Sequence, residues 1–177
     1  AKWAVRGAMK FGVQEMNPKF WYDHSKTVKK GVSPLKAIAD IFEGNYYYKL
    51  GCTRALKLAM LQGMGKYLSQ DPQMEKWLVK IMGRDPLNDK IFSETDKDGE
   101  WERDGLLTEM HTEVPPDNWI PGDWGWIKNT DRTSRRLING NEGKNIMYIC
   151  VDRFADFYYD RHYDLSHSLL KVYSWRY

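Results

Sequence analysis

Cys52 is the residue of this chain best placed for covalent chemistry. It follows Gly51 directly and heads an apolar run of Ala55, Leu56, Leu58, Ala59, Met60 and Leu61. A thiol is a strong nucleophile only as the thiolate. A helix start favours that anion, because its first N–H groups lack intrahelical acceptors and the macrodipole is positive there. The same N–H groups can hold an oxyanion. Gly51 lets the backbone turn tightly ahead of the helix. The blander reading is that a lone Cys on a helix is more often a small core residue. The second cysteine, Cys150, lies in a β-favouring run and reads as a buried strand residue. A disulfide between the two is allowed by count, but a nucleophile plus a buried cysteine accounts for both as well.

Asp156 is the next residue of interest. A strand over Phe154 to Tyr159 puts Phe154, Asp156 and Tyr158 on one side. An acid on an aromatic face is either edge-exposed or held there for a reason. Trp119, Trp124 and Trp126 could line a substrate groove, although sheet packing is the commoner role of such a cluster. Metal chemistry has weak support. Glu94, Asp96, Asp98 and Gly99 imitate the start of a calcium loop, but its twelfth position is Gly105 and not the bidentate Glu. Four scattered histidines and two distant cysteines give no zinc spacing. There is no phosphate-cradling glycine motif. No metal and no cofactor are therefore expected.

The elements that must position these residues are legible in part. Ala4 to Glu15 reads as a helix within an irregular first 30 residues, taken as an N-terminal extension of one domain over 1–177. Ser33 and Pro34 open a clear helix with Leu35, Ile38, Ile41 and Phe42 at helical spacing, and Gly44 stops it. An aromatic loop, Tyr46 to Tyr48, leads to the Cys52 helix. That helix is apolar nearly all round, hence buried, with Arg54 and Lys57 as a short solvent edge and Gly63 and Gly65 loosening its far end. Asp71 and Pro72 start a third helix, whose Met74, Trp77, Leu78, Ile81 and Met82 form an amphipathic stripe ended by Gly83. A short helix is expected over Leu106 to Met110. Strands follow over Asp123 to Lys128, Ile146 to Val151 and Phe154 to Tyr159, the last two a hairpin turning at Asp152 and Arg153. Ser166 to Trp175 reads as a short helix or strand. Helices first and strands last argue for an α+β fold with an antiparallel sheet.

Particular segments carry a resemblance. Ser33 to Ile41, then Tyr46-Tyr47-Tyr48, then Cys52 with Ala55, resemble the helix, aromatic loop and nucleophile helix of the bacterial protein-glutamine γ-glutamyltransferases that crosslink spore coats. Gly122-Asp123 followed by Lys128-Asn129 is similar to that family's glycine-aspartate strand. The match covers residues 31 to 175 in patches. It implies a papain-like fold, with the buried nucleophile helix packed on the C-terminal sheet. It implies a Cys52 thioester with a protein glutamine, and a lysine amine or water as acceptor. It also implies an acidic residue before the hairpin, for which Glu142 is the natural match, two positions displaced. The family histidine falls ungapped on Asp156 or Phe157, with His162 the nearest histidine beyond. Glu142, Asp156 and His162 thus compete as partners of Cys52, and Tyr48, Trp124 and Trp126 are candidates for substrate contact.

Composition sets the outer bounds. The chain has 177 residues, 42% hydrophobic and 29% charged, enough for a core without staples. A net charge of +3, with no basic tract beyond Lys29-Lys30 and Arg135-Arg136, does not argue for nucleic acid. No apolar run approaches a membrane span, and the N-terminus lacks a signal-peptide core. Three rival readings stand beside an acyltransferase on protein glutamine. One is a papain-like cysteine peptidase or amidase. Another is an inactive binding module. The third is a toxin domain of a larger bacterial effector, opposed by an immunity protein. The expected location is the cytoplasm, or a target cell receiving the effector.

Overall fold

A computed structural model describes residues 9–11, 13–22, 25–88, 109–111, 120–128, 143–150, 153–156 and 174–176. The chain divides into two compact units, Ala1–Leu107 and Thr108–Tyr177.

In the first unit, strand β1 (Met9–Phe11) pairs in parallel with β2 (Tyr48–Leu50). The helix expected over Ala4 to Glu15 is therefore corrected at residues 9–11. Glu15 bridges Lys49 antiparallel, through a backbone pair of 2.9 and 3.0 Å. Local helical periodicity loses here to backbone pairing with a distant strand. The aromatic loop likewise ends in a strand, because Tyr48 and Leu50 point inward and are fully buried.

Helix α1 (Pro34–Glu43) begins and ends where its signals placed it, with Ser33 as N-cap and Gly44 beyond the end. The Ser33 side chain makes no capping bond, so Pro34 and burial of Ala37, Ile38 and Ile41 carry the start. Helix α2 (Cys52–Leu68) starts at Cys52 itself. It runs unbroken through Gly63 and Gly65. Gly65 is no loosening point, since a Cβ there would approach Leu35 Cδ2 to 2.8 Å, a close α1–α2 contact. Lys57 is also corrected: it is buried among the apolar residues of α2 and offers no solvent edge. Helix α3 (Pro72–Met82) is capped by Asp71, which accepts the Gln73 N–H at 2.8 Å. Its stripe is only half used. Leu78 and Met82 are buried, whereas Met74 and Trp77 stay exposed.

The segment before α1 belongs to the same core. Met16, Trp21 and Val28 are fully buried. Trp21 bridges Val28, Val28 N–H donates to the Arg84 carbonyl at 2.7 Å, and Arg84 Nε returns a bond to the Val28 carbonyl at 3.1 Å.

In the second unit, β3 (Glu109–His111) pairs antiparallel with β7 (Ser174–Arg176). The helix expected at Leu106 to Met110 is thus corrected at 109–110, again by a partner far along the chain. Strands β4 (Trp124–Lys128), β5 (Gly143–Cys150) and β6 (Arg153–Asp156) form an antiparallel meander in that order. This agrees with the expected strands and hairpin in order and pairing, but Asp123 belongs to the preceding turn. Strand β5 begins three residues before Ile146, Arg153 is in β6 and not in the turn, and Val151 and residues 157–159 lie outside the described residues. Ile146 and Met147 are both buried, so both faces of β5 are covered. No helix among the described residues is long and apolar enough to cross a membrane.

Candidate active site

The nucleophile candidate sits at the first helical position of α2. Gly51, the N-cap, is extended (φ −77°, ψ 153°), and the first helical bond runs from the Ala55 N–H to the Gly51 carbonyl at 3.0 Å. The amides of Cys52, Thr53 and Arg54 therefore precede the helical ladder. Cys52 is half-buried and carries a thiol, not a disulfide. No carboxylate lies in the first turn. Arg54 donates to Gln14 Oε1, and Gln14 Nε2 donates to the Ser25 carbonyl at 2.7 Å. The segment before α1 is thereby tied to the first turn of the Cys52 helix.

The strand leading to Cys52 is held from several sides. Lys49 pairs with Glu15 at 2.5 Å on its outer face, and that carboxylate keeps the ammonium protonated above its ordinary range. On the inner face the Tyr48 hydroxyl donates to Asp40 Oδ2 at 2.5 Å, and Asn17 Nδ2 donates to the same oxygen at 2.8 Å. The Tyr46 ring meets the Tyr48 ring edge-on at 5.1 Å. Gly44 permits the Asp40 carboxylate to lie where it does. A Cβ at position 44 would come within 2.4 Å of Asp40 Oδ1 and 2.5 Å of the Asp40 carbonyl.

Tyr48 is therefore an interior residue, with no ring face left to solvent. Burial pushes its hydroxyl well above the ordinary phenol value, and the Asp40 hydrogen bond and charge push the same way, while Asn17 and Trp21 pull back. The folded state holds this proton longer than the unfolded chain does. Stability is then full below about pH 10 and declines as pH rises above it, by at most about 1.4 kcal/mol per pH unit for one proton. Tyr48→Phe removes this titration. Chemical denaturation between pH 9 and 11.5 is expected to show a shallower decline for the variant. Parallel declines would contradict the assignment.

In the second unit, Ile120-Pro121-Gly122-Asp123 forms a turn with Pro at its second position and Gly122 at φ 104° at its third, the type II pattern. Asp123 is buried at 1% exposure. Its N–H bonds the Ile120 carbonyl at 3.0 Å, and its Oδ2 accepts the Ile120 N–H at 3.0 Å. Its carbonyl accepts the Tyr148 N–H at 2.9 Å, which anchors the turn to β5. Trp124 is nearly buried, and its indole N–H donates to Asn145 Oδ1 at 2.9 Å, so it serves the sheet.

Asp156 occupies the last position of β6, opposite Ile146. Cross-strand register puts that position on the same sheet face as Ile146, Gly125 and Phe154. The side chains of Asp156 and Trp126 lie outside the described residues, as do Glu142, His162 and the calcium-like stretch from Glu94. Asp40 and Asn17 were not singled out from the sequence. Asp40 borders the buried Ala37, Ile38 and Ile41 stripe of α1 but shares its side of the helix with Lys36 and Glu43, so its spacing reads as a solvent position.

The family described as protein-glutamine gamma-glutamyltransferase matches residues 4–159, a span that runs across both units. A solved structure, the transglutaminase from Geobacillus stearothermophilus without its C-terminal extension, superposes with a TM-score of 0.61. It is 18% identical, and the alignment covers 97% of this chain and 82% of that one. At that identity the likeness extends to the fold. No curated protein matches.

Proposed function

The chain belongs to the protein-glutamine gamma-glutamyltransferase family, and on that premise we propose that it acts through a thioester on Cys52 within a papain-like arrangement. The observation that carries this is the start of α2 at Cys52, behind an extended Gly51, with the amides of the first turn ahead of the helical ladder. The Cys52 thiolate attacks the side-chain carbonyl carbon of a protein glutamine. The C–S bond forms, the C–N bond breaks, and ammonia leaves with the proton that the Cys52 thiol gave up to its proton-transfer partner. The first-turn amides of α2 are suited to the transient oxyanion. A lysine amine then attacks the thioester, forming an isopeptide bond and returning the thiol. Water in place of the amine yields glutamate, a deamidation. Glu142, Asp156 and His162 are the proton-transfer candidates, and the partner among them is the one whose replacement lowers kcat and shifts its pH profile.

The reaction class is tested by offering a glutamine-rich protein with and without a fluorescent primary amine. The expected result is ammonia release in both cases and amine incorporation in the first, with the substrate chain intact. Chain cleavage without amine incorporation would make the protein a peptidase instead.

A further inference from the structure

We propose that Asp40 is a positioning residue for Cys52, acting through Tyr48 and Asn17. The proposal rests on Cys52 being the nucleophile.

One carboxylate oxygen, Asp40 Oδ2, accepts from both Tyr48 and Asn17, at 2.5 and 2.8 Å. These three residues come from three segments of the first unit: α1, β2 and the stretch before Trp21. Tyr48 stands only four positions ahead of Cys52, on the strand that runs into the Gly51 N-cap. A hydrogen bond from its ring tip adds a directional restraint on the inner face to the backbone pairing that holds that strand. The orientation of the strand sets the direction in which α2 leaves Gly51, and with it the place of the thiol and of the first-turn amides.

Other contacts of β2 share in holding it, and β1 pairs with it along residues 48–50. The Glu15 backbone pair and the Lys49–Glu15 ion pair hold the strand from its edge and outer face. Leu50 and Tyr48 hold the inner face, but Leu50 is apolar and its contacts have no direction. The Tyr48–Asp40 bond is directional and part-buried, so it is stronger than a fully exposed bond and fixes geometry more tightly. Gly44 belongs to the same arrangement, because a side chain there would displace the Asp40 carboxylate. A stability role alone does not require this polar group. A Phe at position 48 over an apolar residue at position 40 would fill the same space without burying a carboxylate.

The test uses the full chain and measures kcat and KM for amine incorporation, per folded molecule, with the folded fraction taken from circular dichroism at the assay temperature. Tyr48→Phe keeps the ring and removes only the donor. It is expected to lower kcat about tenfold with KM within about twofold, as a sub-ångström displacement of the nucleophile does. Asp40→Ala is expected to lower kcat further, and Asp40→Asn, which keeps an oxygen to accept both bonds, is expected to recover most of that loss. If kcat per folded molecule stays at the wild-type level in Tyr48→Phe and Asp40→Ala, the positioning role is overturned. It is equally overturned if Asp40→Asn is no better than Asp40→Ala. A Cys52→Ala control measured alongside separates the two levels. Activity retained there overturns the nucleophile and the proposal together. Activity lost there with kcat unchanged in Tyr48→Phe overturns the positioning role alone.

Discussion

Cys52→Ala is expected to reduce both ammonia release and amine incorporation to background, a loss of at least about a thousandfold. That factor corresponds to about 4 kcal/mol of transition-state stabilisation. Covalent catalysis through a thioester has no bypass once the sulfur is gone. The first-turn amides of α2 would remain, but amides proposed to bind an oxyanion act on a tetrahedral species that water alone forms slowly. The fold is expected to survive the change. Cys52 is half-buried at the first helical position, and Ala is the best helix former. Loss of activity with unchanged circular dichroism and unchanged melting temperature is therefore the expected pair of results. Glutamine turnover persisting in Cys52→Ala would remove the residue from the mechanism. Cys52→Ser extends the test. It keeps the size and a weaker nucleophile, and it should remain far below the wild type, because the hydroxyl is scarcely ionised near neutral pH.

Trp21→Ala is expected to cost about 3–5 kcal/mol of stability, from lost burial and the cavity left behind. Trp21 is fully buried, and among the described residues it is the largest side chain that the segment before α1 contributes to the core. A typical domain has about 5–15 kcal/mol in all, so the variant is expected to be close to unfolded at moderate temperature. Its indole N–H is buried without a hydrogen-bond partner among the described residues. Trp21→Phe is then the informative companion. It removes the unsatisfied donor while filling most of the space, so its cost should be much smaller than that of the alanine variant. Urea midpoints of the two variants check this. A small loss for Trp21→Ala would mean that residues before Ser33 are an appendage, as they read in isolation. A large loss makes them part of the unit that holds the Cys52 helix.

The same contrast runs through the rest of the molecule. Helices α1, α2 and α3 were legible to within a residue at their starts. Their signals are local: Ser33 with Pro34, Gly51 with Cys52, and Asp71 with Pro72. The meander β4–β5–β6 was legible for a similar reason, since neighbouring strands rich in β-favouring residues pair with one another. Strands β1 and β3 were not, and β7 falls at the end of a stretch that reads as either helix or strand. Each is three residues long. Their partners lie tens of residues away, and nothing within three residues encodes a distant partner. Met9–Phe11 carries no period of its own and is a strand because Tyr48–Leu50 lies beside it.

The candidate site divides along the same line. The helix-start position of Cys52 was legible because a glycine, a cysteine and an apolar run are consecutive, and a helix start has a defined electrostatic character wherever it occurs. Tyr48 was legible as notable but not in its role. Its aromatic neighbours suited a substrate contact equally well, and only the fold turns its hydroxyl onto Asp40 and buries its ring. Lys57 read as a solvent residue by its charge, yet α2 is covered on that side. Met74 and Trp77 read as core by their spacing, yet α3 is not covered there. By itself the sequence determined where α1, α2 and α3 start, where the thiol sits on one of them, and which strands neighbour in the meander, because those properties depend on residues within about one turn or one hairpin. The tertiary structure alone decided which faces are covered, which short segments become strands, and which polar groups meet around β2. Those depend on surfaces brought together from far along the chain, and local periodicity states only that a face can be buried, never what buries it.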